Sequence, residues 1–330
     1  MERKRARIIY NPSSGKEILR NHLPDMLDIL ENGGFETSCH ATKGSEDTME
    51  AARQASFHQF DLVVAAGGDG TINEVINGLS RCEYRPPLGI IPAGTTNDLG
   101  RALRLPRHPI EACKVIIEQN YVPLDVGKVT AISEEMANSE SYFINIAACG
   151  RLTEISYEVP SKLKTILGQL AYYMKGFEKL PQIRPIHLDL DSPEYSFSGK
   201  VMLCLIANSS SVAGFHRIAP DAKIDDGVFD VLLVKTMSIP ELIRLATLAL
   251  RGEHIASDRI DYFHTNHLVV KSDEQVDLNL DGEYGGALPR QFQVLKHHLQ
   301  VAVKNNIQAI SGNESDSDEM VEYMIEESLR

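Results

Sequence analysis

Val63-Val64-Ala65-Ala66-Gly67-Gly68-Asp69-Gly70-Thr71-Ile72-Asn73-Glu74 is the stretch that decides the fold of this chain. An apolar run with no polar interruption reads as a strand covered on both faces. It ends in two glycines, an acid and a third glycine, and a helical pattern follows at once. Strand, tight turn and helix together open a parallel α/β unit. Glycine lacks Cβ, so such a turn can be sharp and its N–H groups can come close to a ligand. A helix start capped by Thr71 or Gly70 adds unpaired N–H groups and a partial positive charge, both suited to phosphate. The spacing is neither G-x-x-x-x-G-K-[ST] nor G-x-G-x-x-G. Taken alone, the turn is first of all a plain strand-to-helix connection, and its neighbours must decide.

Working outward, residues 5–117 alternate. Apolar runs at 6–10, 35–41, 62–66 and 88–91 predict strands, and stretches near 16–32, 45–57, 71–80 and 109–119 predict helices. In the first helix Ile18, Leu23, Met26, Leu27 and Leu30 recur at helical spacing. Such alternation predicts a mainly parallel sheet with helices on both faces, which takes ligands beyond the carboxyl ends of its strands.

The pattern changes near Tyr121. Strands are expected at 122–130, 142–148, 186–190, 200–207, 228–234, 267–270, 276–280, 291–295 and 299–303, with helices near 161–180 and 238–251. This predicts a second domain of mainly antiparallel strands, a β-sandwich. The expected division is an α/β domain over 1–121 and a sandwich over 122–306, whose last strands could return to the first domain. The acidic tail over 307–330 is expected to be disordered, with a short helix at 320–329.

Of the 330 residues 43% are hydrophobic and 24% charged, enough for two cored domains. No apolar run reaches the roughly 20 residues that span a bilayer. The basic start (Arg3, Lys4, Arg5, Arg7) leads into a strand, so neither a signal nor an anchor is expected, and the cytoplasm is the expected place. Cys39, Cys82, Cys113, Cys149 and Cys204 are scattered with no C-x-x-C pair, which fits structural thiols and no zinc site. Net charge is −13, and residues 311–330 hold seven acids and one base. That balance disfavours nucleic-acid binding but leaves room for a local basic face.

Two further turns resemble the opening one in kind. Asn11-Pro12-Ser13-Ser14-Gly15-Lys16 follows the first strand, and Pro92-Ala93-Gly94-Thr95-Thr96-Asn97-Asp98 follows the fourth. Each alone is good helix-start chemistry. Three such turns on one sheet would open at the same edge, which separate structural accidents do not favour. Each donor to a charged acceptor contributes about 1.5–3 kcal/mol, so a few from each loop would hold a triphosphate. Thr42, after the second strand, would border the same place.

G-G-D-G-T at 67–71, N-P-x-S-G upstream and P-x-G-T-x-N-D downstream resemble the diacylglycerol kinase catalytic domain family, which includes sphingosine and ceramide kinases. The bacterial soluble members are the most similar, over about residues 3–303. A more distant likeness runs through G-G-D-G to NAD kinases and phosphofructokinases. Pro160–Lys164, Ala171–Tyr173, Pro220–Gly227 and Asp281–Gly286 carry the resemblance into the second half.

The resemblance implies an ATP-dependent lipid kinase that makes phosphatidate from diacylglycerol. It implies ATP bound by Asn11, Pro12, Ser13, Ser14 and Gly15, by Thr42, by Gly67, Gly68, Asp69, Gly70, Thr71, Ile72 and Asn73, and by Thr95. Asp69 would organise phosphates or Mg²⁺. Asp281-Gly282-Glu283, by itself a common hairpin turn, would be catalytic, with Asp281 the first choice of proton acceptor and Glu283 the alternative. A second, structural Mg²⁺ would take the Asp226 side chain, backbone oxygens of Lys223 and Val228, and Asp125 through water, with Lys16 pairing Asp125. The resemblance also implies a homodimer.

At 161–180, Leu163, Ile166, Leu167, Leu170, Tyr173, Met174 and Phe177 form an apolar stripe flanked by Lys162, Lys164, Lys175 and Lys179. Core packing explains such a stripe, and so does a peripheral contact with an anionic membrane, joined by Arg101, Arg104 and Arg107. The alternatives are a kinase of phosphatidylglycerol or a sphingoid base, an NAD kinase, and a non-catalytic nucleotide or lipid sensor.

Overall fold

The computed structural model describes residues 3–132, 140–150, 184–210 and 218–305. The expected helix at 161–180 and the tail after 306 lie outside the described residues, as does the side chain of Lys16.

The first part is a parallel sheet in the order β4–β3–β1–β2, built from β1 (Lys4–Tyr10), β2 (Phe35–Ala41), β3 (Leu62–Gly67) and β4 (Leu88–Pro92). Every residue of β3 is buried, as its unbroken apolar run requires of a central parallel strand. At the edge, β2 buries only Phe35 and is otherwise partly or fully exposed. Helices α1 (Ile18–Asn32) and α5 (Pro109–Ile117) pack together on one face, with Leu19, Met26, Leu30 and Ile116 in the core. On the other face α2 (Ser45–Phe57) packs against α3 (Asp69–Ser80), burying Ala52, Ile72, Val75 and Ile76. A short helix, α4 (Asp98–Ala102), follows β4.

The second part is mainly antiparallel. It comprises β5 (Tyr121–Ala131), β6 (Glu140–Phe143), β7 (Ile146–Cys149), β8 (Ile186–Asp191), β9 (Ser196–Ala207) and β10 (Phe229–Lys235). After α6 (Ile239–Arg251) come β11 (Ile260–Thr265), β12 (His267–Lys271), β13 (Asp277–Leu280), β14 (Glu283–Ala287) and β15 (Arg290–Ala302). The result is the expected architecture, a parallel α/β sheet joined to a sandwich-like β region. Phe143, Phe229 and Phe292 centre the core of this second part.

Two local expectations are corrected. The single strand expected at 142–148 is two strands, β6 and β7, broken at Ile144 and Asn145. The strands expected at 291–295 and 299–303 are one strand, β15, with an irregularity between Leu295 and Leu299. Strands β11 and β14 and helix α4 had no clear periodic signal. β15 runs antiparallel to β5 and β12 and also pairs parallel to β4 at Val301 and Leu88. The last strand therefore returns to the first sheet.

Candidate active site

The carboxyl ends of β1, β2 and β3 open into a polar cleft of about 350 Å³. Asn11, Ser13 and Ser14 line it from the turn after β1. Thr42, Lys43, Gly44 and Thr48 line it from the β2–α2 connection, and Gly68, Gly70, Thr71 and Glu74 from the start of α3. Three of the expected segments thus meet at one edge. A larger, open depression of about 830 Å³ beside Phe57 and Tyr84 lies at the amino ends of β3 and β4, away from the glycine turns.

Two glycine positions show why the loops have their composition. A Cβ on Gly94 would lie 2.6 Å from the Cα of Gly68, so the turns after β3 and β4 touch backbone to backbone. Only glycine allows that approach. Gly70 is different: a Cβ there would meet nothing within 4 Å. Glycine inside a helix costs roughly 0.5–1 kcal/mol relative to alanine, and here packing gives no reason for it. Gly70 lies on the cleft wall, where a missing Cβ widens the cleft.

Asp69 ties the two turns together. Its Oδ2 accepts the Asn97 N–H at 2.8 Å and its Oδ1 accepts the Asp98 N–H at 2.7 Å, capping α4. Asn97 sits in the left-handed region at φ 54° and closes its own turn through Gly94, whose N–H and C=O both bond its side chain at 2.8 Å. A carboxylate has about four lone-pair sites, so Asp69 keeps capacity for a cation or a phosphate-bound water.

Asp281 lies on the turn from β13 to β14, at φ 49°. Its Oδ2 accepts the N–H of Ile144 at 2.6 Å, and its Oδ1 accepts those of Asn145 and Ile146 at 2.8 and 2.9 Å. These bonds cause the break between β6 and β7, because the amides that would continue a strand point at a carboxylate instead. Burial pushes the Asp281 carboxyl up to about 6, and the charge of Asp69 adds to that rise, against the three amides. Asp281 and Asp69 therefore feel each other across the site. Glu283, two residues on, is exposed; burial first of all raises the pKa of Glu74 on α3, and the Glu283 charge adds to that rise. The Asp281–Glu283 turn thus faces α3 at two points.

A polar seam continues behind this turn. The Asn208 side chain donates to Ile144 O at 2.8 Å and to Asp125 O at 3.1 Å, and Ser209 Oγ donates to Asn145 Oδ1 at 3.1 Å. Asn145, Asn208 and Ser209 were not singled out from sequence. The only signal was a polar triplet ending an apolar strand. Asp125 is fully buried and accepts the N–H of Gly227 and of His297, each at 2.6 Å. Burial raises its pKa first of all, and those two amides oppose the rise. Asp226 Oδ1 accepts the Val228 N–H at 3.1 Å, and Lys296 Nζ donates to Asp226 O at 3.0 Å. The structure brings Asp125, Asp226 and Val228 to one loop. Among the described residues no group of three or more His, Cys, Asp or Glu is arranged to hold a metal. Magnesium needs only one or two carboxylates beside phosphate, carbonyl and water oxygens, so Asp69 and Asp226 each fit it by donor chemistry. Thr95 lies on the Gly94–Asn97 turn, where its carbonyl accepts from Arg107 at 3.3 Å.

Comparison with known proteins agrees with this architecture. Residues 5–129 match the family described as diacylglycerol kinase catalytic domain, and residues 155–303 match the YegS C-terminal NAD kinase beta sandwich-like domain. A Bacillus subtilis (strain 168) diacylglycerol kinase is 50% identical over 91% of this chain and 96% of its own length. A Staphylococcus saprophyticus diacylglycerol kinase is 48% identical over 92% of this chain and 97% of its own length. A solved Bacillus anthracis structure superposes with a TM-score of 0.77 at 25% identity, covering 93% of this chain and 98% of that one. Yeast NADH kinase complexed with NADH, at 11% identity and a TM-score of 0.51 over 98% of this chain and 88% of that one, shares the fold. By sequence along nearly its whole length, and by the architecture that sequence builds, this chain belongs to the diacylglycerol kinase family of enzymes.

Proposed function

We propose that the chain transfers the γ-phosphoryl group of ATP to the free hydroxyl of diacylglycerol, giving phosphatidate. The observation that carries this reading is the meeting of a polar cleft, walled by a glycine that packing does not explain, with a turn bearing two carboxylates. ATP would be held by Asn11–Gly15, Thr42, Gly67–Asn73 and Thr95. Mg²⁺, when bound near Asp69, supplies charge neutralisation on the transferring group.

Of the two acids on the catalytic turn, Glu283 is the better proton acceptor. Three N–H groups already bond the Asp281 carboxylate, leaving about one lone-pair site. Asp281 then acts as a positioning residue that holds the turn, and the exposed Glu283 takes the proton from the lipid hydroxyl. As that proton leaves, the hydroxyl oxygen bonds the γ-phosphorus and the bond to the bridging oxygen of the leaving diphosphate breaks. This reverses the order of preference drawn from sequence.

A second Mg²⁺ would use the Asp226 carboxylate with carbonyls of Lys223 and Val228, and Asp125 would join through water. Asp226→Ala should abolish turnover while ATP still binds weakly. We take residues 1–121 as the nucleotide domain and 122–306 as the lipid domain. The exposed Arg104 and its neighbours Arg101 and Arg107 support peripheral contact with an anionic membrane. No helix among the described residues is long and apolar enough to cross one. By family likeness the chain would act as a homodimer.

The test is transfer of label from γ-labelled ATP to a panel of lipid alcohols in mixed micelles, with NAD as a soluble control. Label in diacylglycerol supports the reading, and label in NAD alone overturns it.

A further inference from the structure

One wall of the cleft carries a negative charge where a triphosphate would not tolerate one. Glu74 lines the cleft beside Gly70, four residues away on the same face of α3 and so about 6 Å further along the helix. The features that suit phosphate, the α3 start and the Ser13–Ser14 turn, lie toward the glycine end. Glu74 therefore sits away from them, opposite Thr48 and the β2–α2 connection. The Thr48 and Ser45 hydroxyls both reach the Glu74 carboxylate from α2. A carboxylate has about four lone-pair sites, so with two of them met from α2 this half-buried group keeps capacity for a donor from a ligand in the cleft.

Resting on the assignment of this cleft to ATP, we propose that Glu74 is a specificity-determining residue whose carboxylate accepts a hydrogen bond from the nucleoside end of the donor. The 6-amino group of adenine and a ribose hydroxyl are the two N–H or O–H sources that ATP offers. Burial holds the Glu74 carboxyl above its ordinary range, the Thr48 and Ser45 hydroxyls oppose that, and the Glu283 charge adds to it. A neutral donor from the ligand would relieve this, and a 6-oxo group, which can only accept, would not.

The experiment compares kcat/KM for ATP, 2′-deoxy-ATP, 3′-deoxy-ATP, purine riboside triphosphate and inosine triphosphate at saturating diacylglycerol, in the intact chain and in Glu74→Gln. A lost hydrogen bond to a charged acceptor should lower kcat/KM about 10- to 100-fold. Loss with the purine riboside and inosine triphosphates identifies the amino group, and loss with a deoxy analogue identifies the ribose. Glu74→Gln should flatten whichever preference is found, chiefly through KM. The inference is overturned if the intact chain treats all five alike, if Glu74→Gln keeps the same ratios, or if added Mg²⁺ alone restores the variant. Calorimetric titration of the intact chain with ATP separates the two levels. Absence of ATP binding removes the cleft assignment itself, whereas tight ATP binding with unchanged ratios removes only the role of Glu74.

Discussion

Asp281 and Glu283 are two residues apart and meet different surroundings. Asp281 is partly buried and bonded to three backbone amides, and Glu283 is exposed. Glu283→Gln should therefore lower kcat by about 10²–10⁴-fold with ATP affinity and melting temperature kept. Asp281→Asn should lower kcat and also destabilise by about 1–3 kcal/mol, since an amide side chain cannot accept all three bonds. Steady-state kinetics beside thermal melts reads both. A pH limb near 6 in kcat/KM that vanishes in Asp281→Asn would return the base role to Asp281. The same carboxyl has a stability signature. Its folded pKa, about 6, lies above the unfolded value of roughly 3.9. The folded state then binds more protons between those values, so this group's contribution is most favourable below about pH 4 and is lost as pH rises to about 6. Urea melts from pH 4.5 to 7 should show a more negative stability slope in the intact chain than in Asp281→Asn.

At the scale of elements, Gly70 lets α3 test the proposed ATP site. Gly70→Ala adds a Cβ that meets nothing, so the variant should gain about 0.5–1 kcal/mol in stability while its KM for ATP rises. A thermal melt and an ATP titration check the two halves, and a stabilised variant with unchanged KM would count against ligand approach at Gly70. The same helix shows what sequence can reveal. Strand β3, its turn and α3 are contiguous, so local chemistry sufficed to read them, and three such turns pointed to one sheet edge. The break between β6 and β7 was not legible. Its cause, Asp281, lies 137 residues beyond Ile144, and nothing around Ile144 announces it. Strand β14 was hidden for a local reason, since Gly285 and Gly286 interrupt its alternation. The role of Glu74 was equally invisible, because an acid on an amphipathic helix normally reads as a solvated position.

In the whole molecule, Asp125 joins three stretches of the second part that are far apart in sequence. It is buried on β5 and holds both the Gly227 turn and the irregular segment of β15 at His297. Asp125→Ala leaves two partly buried N–H groups without that acceptor, together at about 1–3 kcal/mol. The melting temperature should fall by several degrees, and proteolysis should quicken near residues 223–228. Unchanged proteolysis there would argue that the loop is held by other bonds. Salt offers a separate check on the proposed membrane contact, because binding to anionic vesicles through arginines should weaken as ionic strength rises.

β15 has a consequence in time as well as in space. Val301 pairs with Leu88 beside the strand that precedes the Gly94 turn. A ribosome has already released the glycine turns when it is still some 200 residues, by sequence numbering, from making their neighbouring strand. The parallel sheet therefore waits with one edge unpaired through most of synthesis, and a nascent chain stopped before residue 290 lacks the strand that closes it. Competence to bind nucleotide should then appear late and abruptly during translation, as the last strand emerges, rather than with the first domain.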